Sequence, residues 1–469
     1  MKTIIYIFTI AMVLKSGIVI SQQFSIPEIE NKLDSQIEKL IKETGIPSVS
    51  YSIFNSDSVI LSNAIGYSNV KLKVPATTET IYNTGSTFKI VTAMCIMQLH
   101  EKQLLDIDTP IISYLRGTKY SDFDENNPVT LRHLLSHRSG LNGKTIKTPI
   151  WERSLTETLD SLVNKIVPYE EPGVEFKYCN HCFGMAGYIL QRVTDKSFGD
   201  YVKDNILRPL NIKGLDPFYP TPEMMERMAL PYHTENNMSI PTNFYRYNVF
   251  PAGDAYFTPT EMAKILITQI NNGKYKENSI LDSIWIQEMQ TNQFTPNNYG
   301  LGVGITINND GKLLLHGGDV PGFSSYFLID TKIKKGIYVM ANCGNSSDIL
   351  LALSNRAILL LRGEKQDNDL PDFAKREFGE IDLDSSVLKR YEGKYQLAPQ
   401  LIMEVFLEGQ NLFIQVSGQQ KVQIFPYGEN KFFMKVTDAQ ITFNLDEKEN
   451  IESLTLFQKG RSIIGQKNK

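Results

Sequence analysis

Scarcities in the chain narrow its chemistry first. Cysteine is rare: Cys95, Cys179, Cys182 and Cys343 are all there is in 469 residues, too few for disulfides to define an exported fold. Two of them stand as Cys179-Asn180-His181-Cys182, a spacing shared by redox and zinc motifs. No second Cys/His pair stands nearby to complete a zinc site and no thioredoxin-like context surrounds it, so small buried side chains are the expected reading; whether the cysteines pair is left open. His133 and His137 have the i, i+4 spacing of a helical zinc pair, but Leu134 stands where His-Glu-x-x-His has its glutamate. No metal and no cofactor are therefore expected. Neither sign of charge predominates: 48 basic and 52 acidic residues leave a net charge of −4, which excludes the basic face of a nucleic-acid binder. After residue 21 no run approaches the ~18 apolar residues of a membrane span. The partner expected is a small molecule or a short peptide or ester.

What is present is ordinary for a large globular chain: 42% hydrophobic and 21% charged residues, with length for two or three domains. Residues 1–21 read as an export signal, with Lys2, an apolar run from Ile4 to Leu14, and Val19-Ile20-Ser21 before Gln22. Lys15 interrupts the run and argues against an uncleaved anchor; no cysteine follows to carry a lipid. A secreted or periplasmic protein is expected.

A helix is expected from Ser25 to Thr44, with Ile29, Leu33, Ile37 and Leu40 on one face, then a hairpin of Ser48–Phe54 and Ser58–Ala64. A helical region spans about Thr130 to Ile166, broken by the loop from His137 to Gly143. Residues 214–250 show no period and suit a long excursion over a cleft. Strands are expected at Tyr299–Ile307, Lys312–His316, Ser324–Asp330 and Gly336–Ala341, and a helix at Ile349–Leu361. That order implies an α+β domain over residues 22–363: an antiparallel sheet completed by both chain ends, with the terminal helices on one face and a helical cluster on the other. Residues 364–384 read as a charged linker. Residues 385–469 alternate at period two with frequent turns, which predicts a small all-β barrel.

The chemistry centres on Asn83-Thr84-Gly85-Ser86-Thr87-Phe88-Lys89. Ser86 at the start of a helix and Lys89 three residues on share a face. A desolvated amine can take the proton that keeps a serine hydroxyl from attacking. The pattern alone is weak, since Ser68…Lys71 and Ser386…Lys389 repeat it; context selects the first. Tyr178-Cys179-Asn180 and His316-Gly317-Gly318 follow in order. No Gly-x-Ser-x-Gly elbow occurs, which counts against the α/β-hydrolase fold.

With these three motifs the chain resembles the serine β-lactamase and penicillin-binding-protein superfamily. It is most similar to the class C branch, which includes D-aminopeptidases, D-Ala-D-Ala carboxypeptidases and esterases. The segments Thr130 to Leu141, Pro172-Gly173, Pro251-Ala252-Gly253, Tyr299 to Gly302 and His316 to Phe323 resemble that family's recurring stretches, so the likeness runs over about residues 25–365. The resemblance implies a β-lactamase/transpeptidase-like fold and an acyl-enzyme on Ser86. Lys89 and Tyr178 would share the base work, with Tyr178 as phenolate or proton relay beside a lysine ammonium. Asn180, His316, Gly317 and Gly318 would bind substrate, with Asn180 also holding Lys89. The backbone N–H groups of Ser86 and Asp319 would form the oxyanion hole. His316 stands where β-lactamases carry lysine, which points toward a peptidase or esterase; a β-lactamase or carboxypeptidase is the alternative. Asp254 replaces a glycine common in the family. The C-terminal segment, with Tyr391 to Tyr395, resembles a lipocalin-like barrel that narrows the cleft or mediates oligomerisation in relatives. From another class, a non-catalytic binding or sensing protein on the same scaffold is the rival.

Overall fold

The structure, a computed structural model, describes residues 24–468 except 116, 118–127, 143–146, 150–158, 164–165, 169, 214–215, 236, 295–297, 309–310, 365–380, 399–400, 417–420, 435–438, 447–449 and 459–460. The expected export segment 1–21 and most of the expected linker 364–384 lie outside the described residues. Among the described residues no helix is long and apolar enough to cross a membrane.

Helix α1 (Ile26–Thr44) starts where Ser25 and Glu28 form a reciprocal capping box and stops at Gly45 in the left-handed region. Strands β1 (Ser48–Asn55) and β2 (Val59–Asn69) form the expected hairpin, and a short β3 (Val74–Pro75) extends it. The later strands are β4 (Gly304–Asn308), β5 (Gly311–Val320), β6 (Phe323–Asp330) and β7 (Lys335–Ala341). They join β1 in one seven-stranded antiparallel sheet of order β4-β5-β6-β7-β1-β2-β3. As the pattern predicts, the first and last segments of the domain meet in the sheet.

Two cores follow from two sheet faces. On one, Leu33 and Ile37 of α1 pack with Leu328, Val339 and, from the terminal helix Ser347–Leu361, Leu350 and Ile358. On the other, a larger cluster joins the sheet to the helices Lys89–Glu101, Asn180–Thr194 and Pro259–Ile270. The helix Lys89–Glu101 is buried from Lys89 to Leu99 on all sides. Ile90, Ala93, Met94 and Met97, at helical spacing, are thus only part of its contact surface. In the expected helical stretch 130–166 the described helices are only Leu131–Leu135 and Leu159–Val163.

Eight strands between Gly393 and Lys467 close into a barrel. Leu412, Ile414, Ile424, Phe432, Ile441, Phe443 and Leu454 fill it, the inward set of the period-two pattern.

Candidate active site

Ser86 sits on a tight 3-10 turn, Gly85–Phe88, that runs straight into the helix beginning at Lys89. Gly85 has φ +51°, and a Cβ there would lie 3.0 Å from the Gly318 carbonyl carbon, so the turn needs glycine. The turn is braced from below. The Gly85 amide donates to Asn83 Oδ1 (2.9 Å), and Asn83 Nδ2 donates to Asp254 Oδ1 (2.8 Å). Asp254 also accepts from the Tyr247 amide at 3.0 Å. This accounts for the aspartate in a glycine's place: it braces the nucleophile turn through Asn83. Burial raises its carboxyl to about 6, against the opposing hydrogen bonds.

Lys89 has no accessible surface. Its Nζ lies 2.9 Å from Ser86 Oγ and donates to the Ala252 carbonyl at 2.7 Å. The rings of Tyr178 and Phe183 stand 4.8 and 5.5 Å from it. Burial pushes its pKa well below the ordinary amine range, so the neutral amine, with its lone pair available to the serine proton, is the favoured form. The expected hold of Asn180 on Lys89 is absent among the described hydrogen bonds; the Ala252 carbonyl takes that place. Asn180 instead opens the helix Asn180–Thr194 and lines a cavity beside Ser86.

Tyr178 ends the extended segment before that helix. Burial raises its phenol, opposed by a hydrogen-bond interaction with Ser86. Nearly half of the residue (45%) is open to the cleft, so the upward shift is fullest when a substrate covers it. These directions favour a neutral lysine beside a neutral phenol, which fits the expected proton relay for Tyr178 rather than the phenolate and differs from the expected lysine ammonium.

The third motif lies inside β5, where Gly317 and Gly318 pair with Tyr326 and Ser325 of β6. A Cβ on Gly318 would sit 2.5 Å from the Thr84 carbonyl oxygen and 2.8 Å from the Ser86 nitrogen. The strand therefore runs against the nucleophile turn, which brings the backbone of Asp319 beside Ser86. The Asp319 side chain turns away and accepts from the Ser346 and Ser347 amides at 3.2 and 3.3 Å.

His316 lines the larger cavity, and its ring is held on both sides. Its Nδ1 donates to the Gly317 carbonyl (2.7 Å), which leaves Nε2 to accept from the Tyr299 hydroxyl (2.9 Å). Burial above all, then Lys89, lowers its pKa to about 3. Both ring nitrogens are engaged and the ring is neutral, so His316 supports Tyr299 and offers a substrate no charge.

Three features were not assigned a role in the sequence. Tyr299 lies in a recognised segment, yet only the fold brings it to His316. Cys179 and Cys182 are buried, as expected, but also disulfide-bonded, with Cα atoms 5.4 Å apart; Cys95 and Cys343 are buried and free. His133 caps its own short helix and stacks on Phe294, whereas His137 lies beyond the helix end, beside Tyr178. Among the described residues no group of three or more His, Cys, Asp or Glu is placed to hold a metal.

Two cavities flank this centre. One of about 120 Å³ is lined by Ser86, Asn180, Tyr247, Val249, Asp254 and Val320. The other, about 510 Å³, is lined by Tyr178, His316, Gly317 and Leu351 and also by Leu456 and Ile463 of the barrel. The aperiodic excursion thus contributes Tyr247 and Val249 to the cleft, and the barrel borders it.

The Beta-lactamase family profile matches residues 33–359, and a profile for a domain of unknown function (DUF3471) matches residues 379–467. The chain is 26% identical over 321 residues to Protein flp of Staphylococcus aureus (strain MW2), covering 67% of this chain and 63% of that protein. It therefore spans less than two thirds of that relative's length. It is 23% identical over 435 residues to Penicillin-binding protein 4* of Bacillus subtilis (strain 168), covering 86% of this chain and 91% of that one. The solved structure of the octameric penicillin-binding protein homologue from Pyrococcus abyssi is similar in fold, with a TM-score of 0.62 at 24% identity, covering 93% of this chain and all of that one (100%). With the family profile matched across most of its length, the chain belongs to the Beta-lactamase family.

Proposed function

We propose that this chain is a serine hydrolase that cleaves a neutral ester or amide through an acyl-enzyme on Ser86. One observation carries the reading: a fully buried lysine amine stands 2.9 Å from a serine hydroxyl. In the cycle, Ser86 Oγ attacks the carbonyl carbon while Lys89 Nζ takes the hydroxyl proton. The backbone N–H groups of Ser86 and Asp319 receive the oxyanion. Tyr178 O–H protonates the leaving group as the tetrahedral centre collapses and regains a proton from Lys89. Water, deprotonated by the same pair, then releases the acid and restores Ser86.

The state of His316 supports a peptidase or esterase over a β-lactamase or carboxypeptidase. A neutral ring with both nitrogens engaged has no cation to meet a substrate carboxylate. The octameric fold relative supports self-association, which size-exclusion chromatography with light scattering tests.

Intact mass after brief exposure to p-nitrophenyl acetate and, separately, to a penicillin tests the function. We expect Ser86-dependent ester turnover and no lasting penicillin adduct. A lasting penicillin adduct, lost in Ser86→Ala, would shift the assignment to a penicillin-binding carboxypeptidase. Ester turnover undiminished in Ser86→Ala would overturn the serine mechanism, and binding of either compound without turnover would favour the sensing protein.

A further inference from the structure

His137 has no accessible surface and lines neither of the two cavities beside Ser86, yet it grips the chain on both sides of Tyr178. Its carbonyl accepts from the Lys177 amide at 2.9 Å. Its Nδ1 accepts from the Cys179 amide at 3.0 Å. Between these two bonds the imidazole lies against the Tyr178 ring, with centroids 4.3 Å apart. Phe183 and Tyr299 close around it at 5.3 and 4.9 Å.

Packing alone does not explain a histidine here. With Nδ1 accepting, Nε2 carries the proton, and it is buried without a hydrogen-bond partner among the described residues. An orphaned buried donor is unfavourable, a penalty that leucine or phenylalanine would avoid. The backbone is also held at φ +60°, a region that residues other than glycine enter uncommonly, asparagine, aspartate and histidine most often among them. What the residue gains in exchange is the acceptor facing the Cys179 amide. Burial above all keeps the ring neutral, so that acceptor persists.

We propose that His137 is a positioning residue for Tyr178, holding its backbone from both sides and its ring from one face so that the phenol stays on Ser86. The kinetic consequence rests on the serine-hydrolase reading above; the placement of Tyr178 does not.

A double-mutant cycle with p-nitrophenyl acetate is the test. His137→Ala is expected to lower kcat about 10²-fold, the low end of a general acid–base contribution, with KM changed less than about threefold. In a Tyr178→Phe background the same substitution should lower kcat by less than about threefold, because the group it positions is gone. His137→Asn tolerates the left-handed backbone and its Oδ1 can accept from Cys179, so at least about tenfold of the loss should return. If His137→Ala fails to fold, His137→Gly, which suits this φ, takes its place in the cycle. Equal losses in the two backgrounds, or an Asn variant no better than Ala, would overturn the proposal. A second readout is independent of turnover: the ζ-carbon resonance of isotope-labelled Tyr178 should shift or broaden in the Ala variant and recover in Asn. An unchanged resonance would also sink the assignment, even if Ser86→Ala had already disproved the serine mechanism.

Discussion

A lysine with no accessible surface and no carboxylate among its described partners destabilises the fold that holds it. The native state answers by keeping Lys89 neutral, and stability then depends on pH. Between the lowered native pKa and the unfolded value of ~10.4, the unfolded chain binds a proton that the native chain does not. Stability therefore rises with pH through that window and is lost as pH falls. Lys89→Met should remove a slope of about 1.4 kcal/mol per pH unit, measurable by urea unfolding at two pH values inside the window. The same change should lower kcat/KM by about 10²–10⁴-fold. Parallel slopes in wild type and variant would show that the lysine is charged in the folded protein. At this scale the contact of Ser86 and Lys89 was legible because three residues of helix fix their spacing. The charge state was not, since it follows from Phe183, Tyr178 and Ala252, which meet Lys89 only in the folded chain.

Among elements, strand β5 and the start of the helix Asn180–Thr194 carry the other motifs, and each hid something from the sequence. The strand was expected to end at His316 because two glycines follow it. The ladder instead continues to Val320, since close approach to the Thr84–Ser86 backbone requires glycine and ladder pairing outweighs its poor strand propensity. Gly318→Ala would place a Cβ 2.5 Å from the Thr84 oxygen. It should cost about 1–3 kcal/mol by overpacking and lower kcat by at least about 10²-fold, because it displaces the oxyanion donors. A fully active Gly318→Ala would place the oxyanion site elsewhere. At the helix start, Cys179-Asn180-His181-Cys182 fits both a redox motif and buried small residues; only the helical turn that brings the two Cα atoms to 5.4 Å decides for pairing. A loop this short constrains the unfolded chain by about 2 kcal/mol. The Cys179→Ser/Cys182→Ser protein should lose that much stability, and a thiol reductant should shift wild type but not the variant. Identical unfolding curves with and without reductant would contradict the bond.

At the level of the whole molecule, the barrel borders the larger cavity. Its period-two strands were readable as a barrel, but nothing in alternating Leu and Ile told which residues face a neighbour rather than water. Leu456 belongs to the barrel's own core and is 7% exposed, whereas Ile463 is 39% exposed and lines the cavity beside Tyr178 and Gly317. Ile463 is thus free to contact substrate without being needed to fold the barrel. With Leu351 and Leu456 it forms an apolar wall, and each buried CH₂ of a ligand there is worth about 0.8 kcal/mol, close to fourfold in binding. Butyrate adds two such groups to acetate, so wild type should favour p-nitrophenyl butyrate over the acetate in kcat/KM by about fifteenfold. Ile463→Asp puts a carboxylate into that wall and should bring the ratio to about one or below, while the melting temperature moves little because the side chain is largely outside the barrel core. An unchanged butyrate-to-acetate ratio in a stable Ile463→Asp protein would mean that the acyl chain lies in the smaller cavity beside Asn180 and Tyr247. The barrel would then border the cleft without selecting what enters it.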